Sequence, residues 1–126
     1  MNSGPAARET FSRGDRLRKR REFEECYASG VRASGRHIQV FLLPGDPAGI
    51  VRLGISVPRR VGTAVTRNRV RRRLREIFRR TRSVFGGASG RLVVNVRPSA
   101  AGVPFQALSE DYRTTVLRAL ERRPRT

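Results

Sequence analysis

The chain has one cysteine, one histidine, no tryptophan and only 10 acidic residues among 126. A lone Cys26 rules out an intrachain disulfide, and with His37 as its only companion no Cys/His metal cluster can form. No run of about 18 apolar residues occurs, so a membrane-spanning helix is not expected. The first thirty residues are polar, charged and interrupted by Gly4-Pro5, unlike a signal segment. A soluble, cytoplasmic protein is therefore expected. Glu22, Glu24 and Glu25 sit among arginines, and no second carboxylate cluster completes a two-metal nuclease site. No spacing around His37 or Cys26 supports a Ser/His or Cys/His nucleophile. His37 reads as a surface or binding-face residue and Cys26 as a small apolar filler. Gly86-Gly87-Ala88-Ser89-Gly90 lacks the P-loop lysine and reads as a flexible linker. The expectation is a chain with no catalytic residues, no metal site and no small-molecule substrate.

What the chain has is positive charge. Lys+Arg outnumber Asp+Glu by 28 to 10, a formal net charge of +18. Such a balance favours a polyanionic partner, with nucleic acid ahead of an anionic membrane surface. All the basic residues except Lys19 are arginines, whose planar donors suit phosphate and stack on bases.

Periodicity sketches one domain, since a chain of this length supports a single core. Residues 1–14 read as a disordered N-terminal arm, 15–121 as the domain and 122–126 as a disordered tail. Residues 15–29 suit a helix with Asp15 as its N-cap and Gly30 as its stop; Phe23 and Tyr27 share a face. Residues 37–43 and 50–57 alternate in polarity and read as a hairpin, with Arg52, Gly54 and Ser56 on its open face. Val70, Leu74, Ile77, Phe78 and Thr81 recur at helical spacing after a cap at Thr63 or Thr66. Leu92 to Val96 form a strand, and Phe105, Leu108, Tyr112, Val116, Leu117 and Leu120 a last amphipathic helix. The expected class is α+β, a small single-domain sandwich in the order helix, hairpin, helix, strand, helix.

Two features carry candidate chemistry. Residues 59–82 hold eleven arginines against Glu76, a net +10 of the chain's +18. On a helical wheel Asn68, Arg71, Arg72, Arg75, Arg79 and Arg82 form a broad face beside the apolar stripe. Like charges one turn apart repel, so phosphate would relieve such a helix; the plainer alternative is a solvated basic face. The second feature is aromatic. Phe23 and Tyr27 on the first helix, with Phe41 on the mixed face of a strand, could make a stacking platform for unpaired bases, or could simply be core.

The stretch Arg59-Arg60-Val61-Gly62-Thr63-Ala64-Val65-Thr66-Arg67-Asn68-Arg69-Val70-Arg71-Arg72-Arg73-Leu74-Arg75-Glu76 resembles the signature of the bacterial ribonuclease P protein family, centred on Arg67-Asn68-Arg69. The resemblance extends to residues 17–23, to Gly54-Ile55-Ser56-Val57 and to residues 92–98, covering roughly 16 to 121. It implies a left-handed crossover of the basic helix between parallel strands, and a third strand before that helix, for which Val31 to Ser34 is available. It also implies an accessory subunit that binds a catalytic RNA through Arg59, Arg60, Arg67, Asn68, Arg69, Arg71, Arg72 and Arg75. Phe23, Tyr27 and Phe41 match the family's cleft for the 5′ leader of precursor tRNA. Magnesium-dependent hydrolysis would belong to the RNA, with the protein alone inactive. Arginine stands here where the family often has lysine. A ribosomal or RNA-chaperone protein, a DNA-binding helix and a protein-only nuclease are the alternatives.

Overall fold

Alternation along the strands sorts one sheet into two unequal faces. The computed structural model describes residues 13–123. Of the arm and tail expected to be disordered, residues 1–12 and 124–126 lie outside the described residues, whereas Arg13–Asp15 form a 3-10 turn and Arg122 is the last residue of α3. The elements are α1 (Arg20–Ser29), β1 (Val31–Ser34), β2 (Ile38–Pro44), β3 (Val51–Ser56), α2 (Ala64–Arg80), β4 (Gly90–Val96) and α3 (Phe105–Arg122). The sheet order is β1-β2-β4-β3, antiparallel except for the parallel pair β3 and β4. This is a mixed α+β domain of the expected class, and the strand at Val31–Ser34 is present.

The expected hairpin between residues 37–43 and 50–57 is not formed. β4 lies between those strands, taking the ladder of β2 on one side and of β3 on the other. Its sequence explains the choice, because Leu92, Val93, Val94 and Val96 are buried on both faces, and only a central strand covers both. β2 forms its hairpin with β1 instead, and α2 becomes the crossover between parallel neighbours β3 and β4.

On the first face Ile38, Val40, Leu42, Leu53, Leu92 and Val94 meet Val70, Leu74, Ile77 and Phe78 of α2 and Leu108, Tyr112 and Val116 of α3. Thr63 caps α2, its hydroxyl accepting the Thr66 N–H at 3.2 Å. In α3 the expected stripe is rotated: Leu117 is 46% exposed, while Thr115 and Ala119 are buried. Thr115 tolerates burial because its hydroxyl donates to the Asp111 carbonyl at 2.6 Å.

The second face is covered only by α1 and the segment before it. α1 begins at Arg20, five residues later than expected, and Asp15 is not its cap. Asp15 is buried and ion-paired with Arg82 at 3.1 Å, an interaction that holds residues 13–17 against the sheet edge. There the Leu17 N–H donates to the Leu53 carbonyl at 2.9 Å, and Arg16 bridges to Leu53 in the parallel sense.

Candidate nucleic-acid interface

Register divides the second face into three rows. In the middle row Phe41, Val93 and Gly54 are cross-strand partners. Gly54 is required there, because a Cβ would lie 2.6 Å from the Phe23 ring, which rests directly on the backbone. Leu17, Cys26, Phe41 and Val93 form a small second core, with Phe23 and Leu43 packed against it. Tyr27 stands edge-on to Phe41, centroids 4.9 Å apart at 79°, and its hydroxyl donates to Asn95 Oδ1 at 2.9 Å. The three rings gather as expected, but Phe41 does not project openly. It is only 8% exposed and forms the floor, whereas Tyr27 is 40% exposed and forms the accessible wall.

The upper row is neutral and polar: Ser34, Gln39, Asn95 and Ser56 are successive partners across all four strands. Gln39 Nε2 donates to Ser34 Oγ at 3.1 Å. The lower row is charged but paired. Arg52 holds Glu22 at 2.7 Å and Asp46 at 2.9 Å; Arg91 holds Asp46 at 3.3 Å and also Glu25. Burial works against the Asp46 and Glu22 charges, yet hydrogen bonds outweigh it and hold both carboxyls below their ordinary values. The donors are the Ala48 N–H, Arg52 and Arg91 to Asp46, and Arg52 with the Lys19 and Arg18 N–H groups to Glu22.

The basic element is different in kind. Arg59 and Arg60 are exposed on the 3-10 turn Arg59–Val61, just before α2. Arg67 folds back to donate to the Gly62 carbonyl at 3.2 Å, and Arg71 donates to Asn68 Oδ1 at 2.9 Å. Arg72 is exposed, and Arg71 and Arg75 are half-buried. Arg69 is exposed with one nitrogen 3.5 Å from the Ala101 carbonyl, and Arg73 donates to the Val103 carbonyl at 3.0 Å, tying the loop before α3 to the helix. Arg79 and Arg80 both clasp Glu76, and their hydrogen bonds lower its carboxyl to about 2.

Arg82 does not stand on the expected basic face. It lies beyond α2, buried, 4.7 Å over the Phe78 ring and paired with Asp15. The reason is the turn after Thr81, where the helix ends and its angular progression stops.

Among the described residues no group of three or more His, Cys, Asp or Glu side chains could hold a metal ion. His37 Nδ1 lies 2.8 Å from Ser99 Oγ, but Asp111 accepts the Arg36 and His37 backbone N–H groups, so it does not orient the imidazole. That cluster fastens the β1–β2 turn. Sequence reasoning missed Asp46, Arg91 and Asn95, and placed Arg52 without its partners. The available signal was the alternation of Arg91, Val93 and Asn95, readable only once β4 stands beside β2.

A family model described as Ribonuclease P matches residues 11–120. The ribonuclease P protein component of Kocuria rhizophila is 40% identical over 110 residues, 85% of this chain and 93% of that protein. The corresponding protein of Acidothermus cellulolyticus is 40% identical over 103 residues, covering 77% and 81% of the two chains. Among solved structures, the RNase P protein from Thermotoga maritima superposes with a TM-score of 0.72 at 31% identity, covering 82% of this chain and 96% of that one.

Proposed function

The chain belongs to the ribonuclease P protein family, and on that premise we propose that it holds both the catalytic RNA and the 5′ leader of precursor tRNA. The observation that supports this division is the contrast between the two surfaces. Along α2 and its preceding loop, Arg59, Arg60, Arg71, Arg72 and Arg75 carry charge that no carboxylate among the described residues answers. Arg67, Asn68 and Arg69 belong to the same surface. Phosphates of a folded RNA would supply the missing negative charge and release counterions on binding. In the cleft under α1 the arginines are already neutralised and the walls are rings and neutral amides. A surface of that kind stacks single-stranded bases in preference to gathering phosphates.

The carboxylates do not fit a magnesium site: Glu22, Glu25 and Asp46 are each engaged by guanidinium groups. The assignment leaves phosphodiester hydrolysis with magnesium to the RNA and gives the protein the work of positioning. The ribosomal or RNA-chaperone alternative finds no support among the relatives.

Reconstitution in limiting magnesium tests the division. Cleavage of precursor tRNA should require both the RNA and the protein, and RNA-free protein that cuts would overturn it. Tyr27→Ala and Phe23→Ala should weaken binding of leader-bearing tRNA by about 1–3 kcal/mol per lost stack, without change for leaderless tRNA. Replacing Arg71, Arg72 and Arg75 together should flatten the salt dependence of RNA binding by about two to three units of slope.

A further inference from the structure

Among the described residues one buried side-chain polar atom lacks a hydrogen-bond partner, the hydroxyl oxygen of Tyr112. Tyr112 is 1% exposed on α3, and a tyrosine so covered ordinarily finds its hydroxyl a partner. Thr81 stands beside it at the end of α2, yet out of hydrogen-bond geometry, and its own hydroxyl donates to the Ile77 carbonyl at 2.7 Å. Burial pushes the phenol up, so it keeps its proton and remains a donor. Tyr112 and Thr81 belong to the wall of a groove of about 440 Å³ between α3 and the 3-10 turn Arg82–Phe85 that follows α2. The groove also has apolar sides. Val84 and Leu117 are 36% and 46% exposed there, two of the four large hydrophobic residues exposed among the described residues. Leu117, expected in the core, lines this groove instead. On the rim Arg113 is exposed and has no carboxylate partner among the described residues.

A hydroxyl donor at the floor, aliphatic walls and a cation on the rim match one build of guest. It has apolar faces, acceptor atoms along an edge and an anion at the far end, which describes a nucleotide whose base is free of pairing. A groove of this volume is also of the size that small ligands fill. We propose that it takes one unpaired nucleotide of the catalytic RNA, base inward to the Tyr112 hydroxyl and phosphate outward to Arg113. The RNA as the source of the nucleotide rests on the function proposed above. The catalytic RNA is favoured over the leader because the groove lies among the helices on the first face of the sheet, whereas the leader cleft lies under α1 on the second. Arg80, the last residue of α2, also borders the groove, so an RNA held along that helix passes it. Because the phenol oxygen is covered, the base must displace the short turn that carries Val84. That turn ends at Gly86, whose φ of +60° suits glycine, and Gly87 follows.

The four nucleoside 5′-monophosphates are the probes for the protein alone, titrated by NMR. Ribose 5-phosphate is the control without a base, since a chain of net charge +18 binds phosphate at other places too. At least one monophosphate should bind more tightly than ribose 5-phosphate and shift the amides of Ser83, Val84 and Leu117. Tyr112→Phe should weaken that base-dependent binding about five- to tenfold, the worth of one neutral hydrogen bond. The same variant should melt no lower than the wild type, because the hydroxyl it removes has no partner in the free protein. Leu117→Glu should abolish base-dependent binding, whereas Gln106→Glu, with the same change in net charge on the exposed first turn of α3, should keep it. With the catalytic RNA, Tyr112→Phe should weaken binding by a similar factor and leave the preference for leader-bearing over leaderless tRNA unchanged. If no monophosphate exceeds ribose 5-phosphate, or if Tyr112→Phe binds as the wild type does or melts lower, the nucleotide site is refuted whatever the RNA arms show. Variants that lose the monophosphate yet hold the catalytic RNA as the wild type does would overturn that RNA as its source. A wild type that fails to bind the catalytic RNA would refute the proposed function instead, with the monophosphate arm still judging the groove.

Discussion

The two faces of the sheet are built by opposite rules. Between the sheet and the helices α2 and α3 more than twenty residues are buried, all aliphatic or aromatic, with every strand contributing. Between the sheet and α1 with its preceding segment there are four, and the rest of that face is rings, neutral amides and a five-membered ion network. Apolar burial is non-directional and serves stability, so the first face can be filled with whatever side chains fit. Hydrogen bonds and ion pairs are directional, and they hold α1 at a set height above the strands while leaving a cleft beside it. On the function proposed above, the sheet thus places its stability on one face and leader recognition on the other.

The largest expected effect tests the first half of that contrast. Leu74 is fully buried on α2 among strand residues, and Leu74→Ala should cost about 2–5 kcal/mol in denaturant unfolding. The preference for leader-bearing over leaderless tRNA should survive wherever the variant remains folded. A changed preference would mean that the two faces are mechanically coupled and the contrast is too sharp.

Asp46 tests the other face with a smaller effect. Its side chain is 1% exposed and is shared by Arg52 and Arg91, so Asp46→Asn removes one charged acceptor from two donors. Glu22 and Glu25 still hold those arginines, which limits the expected loss to about 1–3 kcal/mol. The loss should appear locally, as detachment of α1. Cys26 reports it: the thiol is fully covered, and burial pushes it up to about 11, so alkylation is slow while α1 is seated. Asp46→Asn should accelerate labelling more than Leu74→Ala does at matched global stability. Acid should also release α1, read by amide hydrogen exchange of α1 because alkylation needs the thiolate. Asp46 and Glu22 lie below their ordinary values of 3.8 and 4.5, so their contribution is present above those values and is lost as pH falls through the lowered ones. Labelling insensitive to Asp46→Asn, together with exchange insensitive to acid, would show that apolar contacts alone hold α1.

The same contrast explains what could be read from the amino acids. The stripe Val70, Leu74, Ile77 and Phe78 and the alternation of Ile38, Val40 and Leu42 are local periodicities, and they settle the first face in advance. Strand order is not local. Residues 38–43 and 51–56 look like a hairpin until the doubly buried run at 92–96 claims the position between them. Ion pairs are less local still, since Asp15 and Arg82, or Glu25 and Arg91, are joined only by the finished fold. The rings of the cleft were legible as a set through the family resemblance, whereas the burial of Phe41 beneath Tyr27 depends on a contact between α1 and β2.

The smallest expected effect decides how far the recognition face extends. Tyr27 has two attachments: its ring stands against Phe41, and its hydroxyl donates to Asn95 in the polar row. Tyr27→Phe keeps the ring and removes the hydrogen bond, at an expected cost near the low end of about 0.5–1.5 kcal/mol, since the bond is exposed. Asn95→Ala should cost a similar amount, and the double variant should cost little more than either alone, because both delete one bond. If stacking carries leader recognition, the Phe variant keeps the leader preference that Tyr27→Ala loses, and the working surface ends at the rings. If it loses as much as the Ala variant, the hydroxyl and Asn95 act on the leader together. The row Ser34, Gln39, Asn95 and Ser56 then joins the recognition face, and the cleft does more than stack bases. Leader-binding titrations of the three single variants and the double variant separate these outcomes.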